Sequence, residues 1–179
     1  HFHIVMGVAS FFGMYAGVYH WYPKMFGRYM NNTLSYIHFW VTIIGAYLIF
    51  WPMHYEGLAG MPRRYYDFSN WESFKMFGDL NQFISMIALI VFAAQLLFVI
   101  NFFYSIWRGK KAVQNPWKSN TLEWTAPVEH LHGNWPGAVP EVHRWPYDYG
   151  KPGAPDDYIP QTVSYAHTPE SNTADDLKH

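Results

Sequence analysis

Three long apolar runs dominate the first part of the chain. They cover roughly 2–22, 34–55 and 82–107, and the last reads "FISMIALIVFAAQLLFVINFFYSIW". At about 1.5 Å of rise per residue, each is long enough as a helix to cross a hydrocarbon core of about 30 Å. A soluble amphipathic helix would show a polar face. The third run has almost none; only Gln95 and Asn101 break it strongly. The pattern predicts an all-α integral membrane protein with three transmembrane helices. A mixed loop, "EGLAGMPRRYYDFSNWESFKMFGD", joins the second and third.

From residue 109 the pattern changes. No period of 3.6 or 2 is sustained, and 9 of the 12 prolines and 9 of the 13 acidic residues fall here. Prolines punctuate the stretch into short extended pieces. Tryptophans such as Trp117, Trp124 and Trp145 set it apart from a disordered tail. The expected division is 1–108 as transmembrane helices with loop 56–79, and 109–179 as an extended Pro/Trp-rich strap lying on protein surface. The last residues are expected to fray.

Composition sharpens this. Aromatics reach 21% and charged residues only 14%, where a soluble domain has about 25% charged. The near-neutral mean hydropathy of −0.13 averages the two unlike regions. With 12 basic and 13 acidic residues there is no basic stripe, so nucleic acid is not an expected partner. Cysteine is absent, which removes disulfides and thiolate chemistry. The opening "HFHIVMG" has neither a basic leader nor a cleavage site. It reads as the interior of a longer chain.

Three alternating spans put Lys24, Arg28, Arg108, Lys110 and Lys111 on one side, and Arg63, Arg64 and Lys75 on the other. The positive-inside rule then places the tail in the cytoplasm. Arg63 and Arg64 oppose the rule. Adjacent arginines at a membrane boundary call for anions, and the candidates are Asp67, a lipid phosphate or a bound carboxylate.

His1 and His3 head the first span on the same side as that pair. Residues two apart on a helix are separated by about 200°. They cannot share one ion. If both are ligands, they serve two centres on opposite faces, as two haems flanking one helix would require. The alternative is a pair of interfacial histidines at a span end. His20, His38 and His54, beside aromatics near span ends, read as structural. Gln95 and Asn101 read as hydrogen-bonding across helices. Ala9, Gly13 and Gly17 form a small-residue stripe that permits close packing. His130 and His132 repeat the opening spacing in an extended segment, where they could share a face. No P-loop, nucleophile elbow or dinucleotide fingerprint is present. No carboxylate relay stands inside a span.

Taken together, "HFH" opening a helix that ends "AGVYHWYPKMFG", then "IHF" and "GLAGMPRRYYDF", resemble subunit I of the haem-copper cytochrome c oxidases. The tail stretch "NPWKSNTLEWT" with "HGNWP" is similar to the bacterial members. The resemblance implies the last three of twelve spans in the catalytic subunit of a respiratory terminal oxidase. His1 would be the axial ligand of the high-spin haem facing copper B, and hence the catalytic residue. His3 would ligate the low-spin haem, and Arg63 and Arg64 would bind haem propionates. It further implies two haems of the A type and a copper B whose ligands lie upstream. Magnesium at the interface with subunit II is a further implied site.

Implied partners are subunits II and III, cytochrome c as donor, membrane lipid and O2 as substrate. The implied location is the bacterial inner (plasma) membrane. O2 would be reduced to water with proton pumping by the whole enzyme, not by this stretch alone. Two other readings stay open at this point. One is a quinol oxidase or nitric oxide reductase of the same type. The other is a haem-free multi-pass transporter or assembly protein.

Overall fold

The computed structural model describes residues 1–127, 134–150 and 156–164. Its described residues are helical or irregular, with one isolated antiparallel bridge, Arg28 to Lys111, and no strand. The chain divides into two compact units, His1–Tyr22 with Arg28–Lys111, and Pro23–Gly27 with Ala112 onward.

In the first unit a π-helical segment, His3–Val8, leads directly into α1 (Ala9–Phe26). Helix α2 spans Asn32–Phe50, α3 Pro52–Leu58 and α4 Gly78–Arg108. The Asn31 side chain accepts from the Leu34 amide and starts α2, as a capping residue does. Pro52 stands at the first turn of α3, where its missing N–H costs nothing. The predicted third run gains a turn at its start, because the helix begins at Gly78 rather than near 82.

Two helical stretches, Asn32–Leu58 and Glu72–Arg108, are long and apolar enough to cross a membrane. The first helical stretch, 3–26, is not among them. Its glycines, tyrosines, tryptophans and histidines dilute the apolar content that length alone suggested.

Helices α2 and α4 pack closely at Gly45, where a Cβ would come within 2.1 Å of Val91 Cγ2. The small-residue stripe of α1 makes no such approach. A Cβ at Gly13 meets nothing within 4 Å, and one at Gly17 meets only the chain's own Trp21. Close packing therefore falls on a glycine outside the stripe. Helix α1 instead leans on its neighbours through rings: Phe12 on Phe39 at 5.8 Å, Tyr15 on Phe98 at 4.7 Å and Tyr22 on Phe102 at 5.3 Å.

Polar side chains inside the bundle pair with one another. Tyr15 Oη donates to Gln95 Oε1 at 2.5 Å, and Gln95 Nε2 donates to Thr42 Oγ1 at 3.0 Å. His38, 2% exposed, lies 3.1 Å from the same Gln95 oxygen through Nε2 and 3.2 Å from the Tyr19 hydroxyl through Nδ1. The amide oxygen can only accept, so Nε2 carries the proton and Tyr19 donates to Nδ1. Further along, Asn101 uses its whole amide. Oδ1 accepts from the Asn31 amide (3.0 Å) and Ser105 Oγ (2.9 Å), while Nδ2 donates to the Asn31 carbonyl and Ser35 Oγ (both 3.1 Å). The structural reading of His38, Gln95 and Asn101 holds.

Among the described residues from Ala112 onward in the second unit, the turn Leu122–Thr125 is the one helical segment. Without ladders, the backbone groups there turn to side chains. Buried Asn120 donates to the Asp148 carbonyl at 3.1 Å and accepts from the Ile159 amide at 2.8 Å. Gln161 accepts from the Leu122 amide and donates to the Arg144 carbonyl. Arg144 in turn reaches the Val163 and Ser164 carbonyls and the Asp148 carboxylate. The described part of the predicted strap thus folds on itself.

Candidate functional site

The candidate site begins where the first helix begins. His1 precedes the helix, with its carbonyl accepting from the Val5 amide at 3.1 Å. His3 opens the π-helical segment. Such segments are rare and gather at functional positions, because the extra residue per turn re-aims a side chain.

Both imidazoles are exposed. His3 stacks on Phe50, centroids 5.3 Å apart and planes 14° from parallel. His1 stands edge-on to His54 at 6.5 Å. The two rings therefore meet positions four apart on the α2–α3 stretch, Phe50 and His54. His54 is itself fixed, since its Nδ1 lies 2.9 Å from the Phe50 carbonyl. A carbonyl only accepts, so that nitrogen carries the proton.

His3 also lines an apolar cavity of about 250 Å³ between α1, α2 and α4. Gly7, Phe11, Phe12, Ala46 and Phe50 wall it, with Gln95 and Tyr15 at its polar edge. An apolar, ring-lined cleft with few polar groups suits a flat organic ligand. A lone imidazole in its wall suits a metal carried by that ligand rather than a free ion. Among the described residues no three His, Cys, Asp or Glu side chains come together.

Arg63 and Arg64 follow α3. The Met61 amide folds back on the Glu56 carbonyl at 3.0 Å. Gly60 takes a φ of +88° at that turn, a conformation glycine adopts without strain. Arg64 has a φ of +58°, which for a side-chain-bearing residue is a held, costly conformation. Both guanidinium groups are exposed, and neither comes within 4.0 Å of a carboxylate among the described residues. Asp67, the intrachain alternative, is already engaged. It accepts from the Ser69 amide at 2.9 Å and the Ser69 hydroxyl at 2.8 Å, and these bonds hold its carboxyl below the ordinary range. The arginine pair is left facing outward, available to an anion from outside this stretch.

A family model described as "Cytochrome C and Quinol oxidase polypeptide I" matches residues 1–90. The chain belongs to that family. It is 48% identical over 163 residues to the alternative cytochrome c oxidase subunit 1 of Bradyrhizobium diazoefficiens, covering 90% of this chain and 28% of that one. It is 43% identical to the cytochrome c oxidase subunit 1 of Thermostichus vulcanus and 41% to that of Synechocystis, each match covering 84% of this chain and 26% of the relative. This member of the family thus spans a little over a quarter of the length of the curated relatives it matches.

Sequence reasoning missed three features of the site. The π-helical start at His3 has no local signal. Arg64's positive φ has no local signal either. Glu56 was read as part of a loop; it is in α3 and 6% exposed. His130 and His132 lie outside the described residues.

Proposed function

We propose that this chain is part of the catalytic subunit of a respiratory terminal oxidase, with His1 and His3 as axial ligands of two different haems. The observation that carries this is His3, an imidazole in the wall of an apolar aromatic cavity, in a chain of the oxidase family.

Haem iron, when bound, supplies the one-electron chemistry that takes electrons to O2. The chain's own residues bind and orient. His3 offers an imidazole nitrogen, with Phe50 stacked on its ring to hold the plane. Gly7 leaves room beside it; a Cβ there would meet only His3 Cβ, at 3.9 Å. Arg63 and Arg64 offer planar donors to propionate carboxylates. Their lack of carboxylate partners among the described residues, and the unusual backbone of Arg64, support that role. Copper's ligands and any magnesium site would come from outside this stretch. The A type of haem, cytochrome c as donor and proton pumping follow the same reading, and the relatives' names favour cytochrome c.

The apolar helices favour a membrane protein, and the bacterial sources of the relatives favour the plasma membrane. In this reading the first helical stretch crosses as well, and the tail is cytoplasmic. The test uses the intact oxidase complex. His1→Ala and His3→Ala should each abolish turnover while removing different haem components from the optical spectrum. If both variants lose the same component, the two-centre assignment fails; if neither loses any, the haem assignment fails.

A further inference from the structure

Among the described residues, one sealed side-chain oxygen or nitrogen has no hydrogen-bond partner: Oε1 of Glu56. The residue is 6% exposed and sits on α3, in a helical stretch apolar enough to span a membrane. Buried polar atoms are nearly always paired, so an orphan needs an explanation. A buried, uncompensated carboxylate is among the most costly arrangements a fold can hold.

Partners from the rest of the molecule do not resolve it. On its own element His54 bonds the Phe50 carbonyl instead. His1 faces His54, not the carboxylate. Arg63, Arg64 and Asp67, on the loop that folds back through Met61, make no ion pair with it. Oε1 itself, with less than 1 Å² of accessible surface, leaves no room for a side chain from elsewhere in a longer protein at that atom. What does reach such an atom is a proton. A protonated carboxyl is neutral, and it gains an O–H donor that can bond carbonyls of its own helix.

We propose that Glu56 is a neutral carboxylic acid in the folded protein and an exchangeable proton-binding site next to the Arg63–Arg64 loop. It is held there by the Met61-to-Glu56 backbone bond, which ties the loop to the same residue. An ionisable side chain within a membrane segment is a functional position by default. The proposal goes beyond the haem reading and does not need it, since the haem spectra of the histidine variants are a separate measurement.

The test is infrared spectroscopy of the intact oxidase complex, wild type against Glu56→Gln, in H2O and in D2O. The expected result is a carbonyl band of a protonated carboxylic acid that is present in wild type, absent from the variant, and shifted after D2O equilibration. A difference confined to carboxylate bands overturns the proposal. A protonated band that D2O leaves unmoved overturns the exchangeable site. Thermal denaturation gives a second reading. Glu56→Gln and Glu56→Leu, both neutral, should keep the wild-type midpoint, whereas a marked drop in both would reveal an ionised carboxylate with a cationic partner.

Discussion

The two ends of the helical unit treat their polar residues in opposite ways. Where α2 starts and α4 finishes, the buried polar side chains are matched. Asn101 is fully buried and spends its whole amide on Asn31, Ser35 and Ser105. Where the first helix starts and α3 finishes, the polar groups are unmatched. His1, His3, Arg63 and Arg64 are exposed, and Glu56 is buried with an orphaned oxygen. In an apolar bundle a matched polar cluster lowers the cost of its own burial and so explains itself. An unmatched one asks for a partner the described residues do not supply: a bound group for the exposed side chains, and a proton for Glu56. That contrast, more than residue type, separates the structural histidine His38 from the candidate ligand His3.

Substituting at the matched end should break the fold and spare the chemistry. Asn101→Leu removes four buried hydrogen bonds and leaves the Asn31 amide only its longer bond to Ser105 Oγ, at 3.3 Å, so it should cost about 1–3 kcal/mol. The measurement is the thermal midpoint of the assembled complex, with the haem spectrum unchanged in the surviving material. An unchanged midpoint would mean that the cluster is idle. A comparable loss should follow Gly45→Ala, whose new Cβ would fall 2.1 Å from Val91 Cγ2; overpacking costs about 1–3 kcal/mol. Val91→Ala in the same molecule should recover most of that loss, because the two sites touch and their effects couple.

The unmatched end should respond the other way round. Arg63→Gln breaks no ion pair among the described residues, so stability should move by no more than about 0.5 kcal/mol, while haem retention falls. Arg64 separates strain from charge. Arg64→Gly and Arg64→Ala both remove the charge, but only glycine takes a φ of +58° freely. The glycine variant should be the more stable of the two by about 1 kcal/mol, with equal haem loss. Equal midpoints for the two would show that the backbone relaxes on substitution and holds no strain.

Much of this was legible in the sequence. The apolar runs gave the helices, because length and the lack of a polar face leave few alternatives, and "MPRRYY" marked the loop for which an anion partner is proposed. The failures have physical causes. Hydrophobic length treats Tyr15, Tyr19 and His20 as apolar filler, yet they draw the first helix away from the composition of a clear span. A stripe such as Ala9, Gly13 and Gly17 shows where close approach is possible, not where it occurs; Gly45 has no stripe and carries the contact. Opposite faces for His1 and His3 followed from an ideal helix, whereas His1 lies before the helix and His3 in a π-helical turn. Both rings reach the α2–α3 stretch. The tail's clamps, Asn120, Arg144 and Gln161, join segments far apart in the chain, which no local pattern encodes.

The smallest effect belongs to Asp67, the residue whose engagement leaves the arginines unmatched. Its carboxyl is held below the ordinary range first by the Ser69 hydroxyl and then by the Ser69 amide. The sign follows: the ionised form is favoured in the fold. The stabilisation is fully present above the ordinary carboxylate value and is lost as pH falls through the lower folded one. Because the group is partly exposed and its partners lie on Ser69, the effect is local. Asp67→Asn should loosen the turn Phe68–Asn70 at neutral pH and leave the global midpoint unchanged. Amide exchange of residues 67–71 in acid is the measurement, with wild type converging on the variant as Asp67 takes up its proton. If the two still differ once Asp67 is protonated, the turn is held by something other than the ionised carboxylate. Asp67 would then be free to pair with the arginines, and the contrast between the two ends would weaken at the point where it now rests.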